Sequence, residues 1–134
     1  EDDFSYWTWG RFPTGTGATC FYDATRRDGS TLAAGFAFDA DGTARPIKLP
    51  QKTRIRRSLW AVKRETRAEG GFQPKQVLSM LDAPFYARSA VRTKLDGAET
   101  TGVHEALDLR RFRSPLLKPM LAVRVPRRKS WAWD

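Results

Sequence analysis

The stretch Cys20-Phe21-Tyr22-Asp23 sets one carboxyl group among aromatic rings. In an extended strand side chains alternate, so Phe21 and Asp23 share one face and Tyr22 takes the other. If the Asp23 face is the interior, burial disfavours the charged form and raises the carboxyl pKa. A carboxylic acid kept neutral in this way can protonate a weak base. The competing reading makes Asp23 the start of a turn, paired with Arg26 or Arg27 just downstream. Upstream, FSYWTWGRF places Trp7 and Trp9 on a shared strand face. Two indoles there suit the lining of an apolar cavity, the stabilisation of a cation by their π faces, or ordinary core packing.

Other reactive groups are few. A single cysteine, Cys20, excludes an internal disulfide and a Cys-based zinc site, and the lone His104 excludes a His-rich metal centre, so no metal site is expected. Cys20 and His104 could form a Cys–His pair, but Cys20 lies in an apolar run as a small core residue does. His104, beside Glu105, reads as hydrogen-bonded polar support. GTGATC, residues 15–20, lacks the glycine spacing and the lysine of a phosphate-binding loop.

The 134 residues suffice for one domain with a proper core. Lys and Arg number 24 against 15 Asp and Glu, a net charge of +9, which implies an anionic partner or surface. The cations gather in KTRIRRSLWAVKRETR (52–67) and in RVPRRKSWAWD (124–134). In the second, Arg127, Arg128 and Lys129 stand beside Trp131 and Trp133, a combination suited to a membrane interface. Nucleic acid is the rival partner for both patches, but the recognised nucleic-acid modules are absent, which ranks it last. A plain solvated surface is the third reading. No apolar run approaches the roughly 20 residues that span a bilayer.

Strand-like runs separated by turn signals dominate the chain. Gly15-Thr16-Gly17, Asp28-Gly29, Asp41-Gly42, Gly70-Gly71 and Asp96-Gly97 punctuate it, and Asp-Gly favours tight hairpins. The runs are 4–9, 18–25, 31–39, 58–65, 84–95, 100–109 and a weaker 120–125, with 74–81 open between strand and short helix. Residues 44–57, with two prolines and many cations, read as a long loop. The expectation is an all-β antiparallel meander of about seven or eight strands with little helix, closed into a barrel or half-barrel or folded as a sandwich. It forms one domain over 1–126, followed by a basic, Trp-bearing tail over 127–134. In the strand 84–95 the arginines are expected on the outer face or rim.

Five ordered blocks carry a resemblance: YDATRRDGS (22–30), LWAVKRETRAEGG (59–71), LDAPFYARS (81–89), VHEALDLRRFRSP (103–115) and MLAVRVPRR (120–128). Together they resemble the C-terminal part of the carotenoid 1,2-hydratases, also called hydroxyneurosporene synthases. The resemblance implies a lipocalin-like fold and cofactor-free addition of water to the terminal C1–C2 double bond of an acyclic carotenoid of the neurosporene or lycopene class. It implies Asp23 as the acid, with Trp7, Trp9, Phe21, Tyr22 and Tyr86 lining the cavity or stabilising a cation, and with Arg88 and His104 as polar support. The family carries a His-x-Trp element upstream of this region, whereas the nearest stretch here, Ser5-Tyr6-Trp7, has no histidine. The implied site is therefore incomplete, with the half that bears Asp23 present. The alternative is a non-catalytic β-domain that docks on a pigment-binding photosynthetic membrane complex or an anionic membrane surface. Either reading implies a place at the cytoplasmic face of a membrane, peripheral unless an anchor precedes Glu1.

Overall fold

A computed structural model describes residues 3–49, 51–55, 57–58, 60–67, 73–95, 97–113, 115–116 and 119. Among the described residues there are nine strands: β1 (Phe4–Thr14), β2 (Gly17–Arg26), β3 (Thr31–Phe38), β4 (Ala44–Pro46), β5 (Lys52–Ile55), β6 (Arg64–Arg67), β7 (Gln73–Asp82), β8 (Tyr86–Leu95) and β9 (Ala98–Asp108). A short 3₁₀ turn, Leu109–Arg113, follows. Seven strands form one antiparallel sheet in the order β4-β3-β2-β1-β9-β8-β7, and β5 and β6 form a second, two-stranded sheet. The all-β expectation holds, as an open, half-barrel-like sheet.

The hairpins follow from local chemistry. Gly29 and Gly42 both have φ of +87°, which L-residues with a side chain rarely adopt. Each preceding aspartate accepts a backbone N–H two residues on, Ser30 to Asp28 at 2.8 Å and Thr43 to Asp41 at 2.8 Å. These turns set the β2–β3 and β3–β4 hairpins.

The strands then alternate. On β1, Tyr6, Thr8, Gly10 and Phe12 are buried and the odd-numbered residues face outward. On β8, Ala87, Ser89, Val91 and Thr93 point inward, while Arg88 and Arg92 are exposed, as expected for that strand. The apolar core has two parts. Phe12, Phe21, Ile55 and Val91 form one, with Ile47, Leu49 and Leu95 packed against it, and Val62, Ala87 and Ala106 form the other.

Two expectations change, and the open reading of 74–81 is resolved. Residues 58–65 are not a strand: Ala61 N–H donates to the Ser58 carbonyl at 2.9 Å, Val62 N–H donates to Ser58 Oγ at 3.0 Å, and Ala61 has φ of +57°. That turn delays the strand until Arg64. Segment 44–57 is not one loop, because it contains β4 and β5. Segment 74–81 is strand, within β7. The Gly70-Gly71 turn, the run 120–125 and the tail 127–134, with Arg127, Arg128, Lys129, Trp131 and Trp133, lie outside the described residues.

Candidate functional site

The inner face of the large sheet is unusually polar. Thr8, Asp23, Ser89, Thr93, His104 and Asp108 are all buried there, and Arg64 and Thr66 of β6 are buried against it. Polar groups at such depth need partners, and β6 supplies those of Asp23, Ser89 and His104, with Lys63 just before it. Tyr6 Oη donates to the Lys63 carbonyl at 2.8 Å, Arg64 donates to Ser89 Oγ, and His104 Nε2 lies 2.7 Å from the Glu65 carbonyl oxygen. Arg67 closes the row on Asp23, with Nε donating to Oδ2 at 3.0 Å and Nη2 to Oδ1 at 2.5 Å. Lys63, Arg64, Glu65 and Arg67 thus fasten this segment to the large sheet through polar bonds.

Asp23 faces inward with Phe21, as alternation requires, at 7% and 4% exposure. Its register partner is Thr8 on β1 and Ala33 on β3. The bidentate guanidinium of Arg67 and, at 3.3 Å, the ammonium of Lys52 surround its carboxylate. This differs from a carboxyl among aromatic rings alone, and it differs from pairing with Arg26 or Arg27, which are exposed beyond the end of the buried run. The partner comes from a strand 44 residues away in sequence, a contact no local pattern announces.

The aromatic candidates divide between the two faces. Trp9 pairs with Tyr22, Trp7 with Leu107, and Leu107 with Tyr86, so Trp7, Trp9, Tyr22 and Tyr86 lie on the outer face. Trp7 and Tyr22 pack with ring centroids 6.0 Å apart. Asp23 is on the opposite side of the same sheet. Only Phe21, among the five aromatic candidates, shares its face, where Tyr6 and Phe12 join it. The inner aromatic groups Tyr6 and Phe12 were legible by alternation once Thr8 was placed opposite Asp23.

Arg88 and Glu105 make an ion pair at 3.1 Å on the outer face. Tyr86 sits beside Glu105, and partial burial together with that carboxylate pushes its phenol up to about 12. Cys20 is also outward, opposite Arg11, while His104 is inward opposite Gly10. The Cys–His pair is therefore excluded by the sheet itself, and burial moves the Cys20 thiol up.

His104 is 1% exposed. A carbonyl only accepts, so Nε2 carries the proton and Nδ1 bears the lone pair. Nδ1 has no hydrogen-bond partner among the described residues. Burial lowers the imidazole from its ordinary 6.5 to about 4, only partly offset by the Glu65 carbonyl. The unfolded chain therefore takes up a proton that the folded chain refuses. This contribution to stability is complete above pH 6.5 and falls as the pH drops from about 6.5 towards about 4. Urea unfolding at pH 7 and pH 4.5 should show the loss, and His104→Gln should flatten the slope over that window. An unchanged slope in the variant would exclude His104 as its source.

The basic run 52–67 is largely committed to structure. Arg64 is 3% exposed, Arg67 and Lys52 hold Asp23, and Lys63 pairs with Glu65 at 2.8 Å. Among the described cations of the run, Arg54 and Arg57 are exposed, the Arg54 side chain 84% accessible. Among the described residues no cluster of His, Cys, Asp or Glu could hold a metal ion, and no helix is long and apolar enough to cross a membrane.

The family model for "Carotenoid hydratase CrtC" matches residues 1–134. An acyclic carotenoid 1,2-hydratase of Cereibacter sphaeroides is 62% identical over 134 residues, covering 100% of this chain and 48% of the relative. That of Rhodobacter capsulatus is 54% identical over 132 residues, covering 98% of this chain and 47% of the relative. That of Thiocapsa roseopersicina is 41% identical over 128 residues, covering 95% and 32%. The chain thus spans about half the length of the first two relatives. No solved structure matches it. With the family match running from the first residue to the last, and the Asp23 strand inside it, the chain belongs to the carotenoid hydratase family.

Proposed function

We propose that this chain forms the acid-bearing half of an acyclic carotenoid 1,2-hydratase, adding water across a terminal C1–C2 double bond without a cofactor. The observation that carries the reading is the family match over the whole chain, with Asp23 buried on the inner face of its sheet. The substrate class follows from the names of the relatives. A substrate of that kind is held in lipid, which fits a peripheral enzyme at the cytoplasmic face of a membrane.

The chemistry needs a proton on C2, giving a tertiary cation at C1. Water adds to C1, and the oxonium proton returns to the carboxylate that gave up the first one, so the acid regenerates itself. Asp23 is the donor in this reading. Its bidentate pair with Arg67 suits a carboxylate, so Arg67 must release it before Asp23 carries a proton. Phe21, Tyr6 and Phe12 offer ring faces on the same side for the cation. His104, through Glu65, keeps β6 and hence Arg67 in place.

The test is conversion of neurosporene or lycopene in heavy-oxygen water, with the label sought in a 1-hydroxy product. Asp23→Asn should reduce turnover of folded protein by at least about a hundredfold. Full turnover in that variant removes Asp23 from the acid role. A folded wild-type chain with no turnover, recovered in fixed ratio with pigment-binding membrane subunits, favours a non-catalytic docking domain instead. The observation that favours this second reading is the double engagement of Asp23 by Arg67 and Lys52.

A further inference from the structure

We infer that the outer face of the seven-stranded sheet is the surface on which this chain docks against the other half of the fold that its longer relatives carry. An antiparallel sheet with one face in water alternates apolar-in and polar-out. This sheet does not. One cross-strand row reads Leu32, Ala24, Trp7, Leu107 and Tyr86, apolar on five neighbouring strands. At roughly 4.8 Å per strand, that row alone is about 20 Å wide. Phe36 and Phe38 extend the patch at the β3 side, their rings 6.4 Å apart.

The β3 side of the patch is uncovered, while Trp7, Leu107 and Tyr86 are half-buried and Ala24 is buried. Leu32 is 40%, Phe36 41% and Phe38 36% exposed, whereas the inner face is covered by β5 and β6. In a chain of net charge +9, the middle of this face carries few charges: Arg88 is spent on Glu105, and Arg11 sits at one side. A depression of about 300 Å³ between Trp9, Arg11, Pro13, Arg88 and Val103 offers room for a partner's side chains. Apolar area of this extent, depleted in free charge, marks a face that meets protein.

The length of the relatives identifies the occupant. The matched region is 48% of one relative and 47% of another, so slightly more than half of each lies outside the part seen here. A half-barrel with a second apolar face, and two relatives about twice as long as this chain, point to that remaining half as the cover. The inference rests on family membership and not on the reaction, so it stands or falls apart from the hydration chemistry.

The experiment co-expresses this chain, tagged, with the remaining half of the Cereibacter relative. Co-purification in a one-to-one ratio is expected, and Phe36→Asp or Leu32→Asp, both at exposed sites, should weaken it by roughly tenfold or more. Arg54→Ala, away from the face, should leave it unchanged. Hydroxyl-radical labelling of the intact relative provides a measurement that needs no separated half. The residues aligned with Trp9 and Phe36 should label several-fold less there than in this chain alone. Equal labelling overturns the inference. So does a dimer of this chain that Phe36→Asp dissolves while labelling stays equal, which would make a second copy the occupant. Phosphatidylglycerol vesicles that capture the chain through the same residues, with no protection in the intact relative, would make it a lipid surface.

Discussion

Arg67→Met should destabilise the fold by about 3–5 kcal/mol, because it leaves the Asp23 carboxylate buried without its main counter-ion. The two side chains are only 14% and 10% accessible, so water can do little to replace the lost partner. Asp23→Asn should cost a similar amount for the converse reason, since the guanidinium stays behind. Lys52, with a side chain 40% accessible, contributes much less, under about 1 kcal/mol. Replacing both partners, Asp23→Leu with Arg67→Met, should recover most of the loss, because two apolar groups need no counter-ion. Urea titration of the wild type, Asp23→Leu, Arg67→Met and the double variant measures the coupling. Additive effects would mean that the pair is solvated in solution and that the two strands are held by other bonds. The result also governs how activity is read, since turnover by Asp23→Asn must be expressed per folded molecule.

Phe12→Ala should cost about 3–5 kcal/mol, the range for deleting a buried aromatic side chain. Phe12 is fully buried and belongs to the cluster that joins β1, β2, β5 and β8. Its ring lies over two glycines on the inner face. A Cβ on Gly10 would sit 2.8 Å from Phe12 Cε2, and a Cβ on Gly102 would sit 2.5 Å from its Cδ1 and 2.2 Å from the Arg11 carbonyl oxygen. Gly102→Ala should therefore also destabilise, by about 1–3 kcal/mol or more, through overpacking against backbone that cannot move aside. Phe12→Ala combined with Gly10→Ala should be less harmful than the two changes summed, because the first removes the atom that the second strikes. Thermal unfolding decides it, and a Phe12→Ala protein that melts with the wild type would remove the ring from the core.

The sequence made the hairpins legible because Asp-Gly is a local signal: the side chain of the aspartate and the φ of the glycine make the turn without help from the rest of the chain. It also made legible that Asp23 and Phe21 share a face. Which face Trp7 and Trp9 took was not legible, since β1 carries aromatic residues on both sides, Tyr6 and Phe12 inward and Trp7 and Trp9 outward. Hydrophobic alternation identifies an inside only when the outside is polar, and here it is not. Strand β6 was missed for the opposite reason. Arg-Glu-Thr-Arg looks like a solvated run, yet Arg64 and Thr66 are buried because Ser89 takes the Arg64 guanidinium and the main chain of β6 takes His104. The candidate site was thus half visible: its carboxylate came from a strand that announces itself, and its counter-ions, Arg67 and Lys52, from two, β6 and β5, that do not.

The pairing of Tyr6 with Asp108 places the first and last long strands of the large sheet side by side. Polypeptide enters and leaves the sheet at neighbouring points. Such a module behaves as a cassette: spliced into another chain, it interrupts its host at one spot instead of stretching it apart. The same neighbourhood allows the described sheet to be circularly permuted, with a short linker joining β9 to β1 and new termini cut at the exposed Asp41-Gly42 turn.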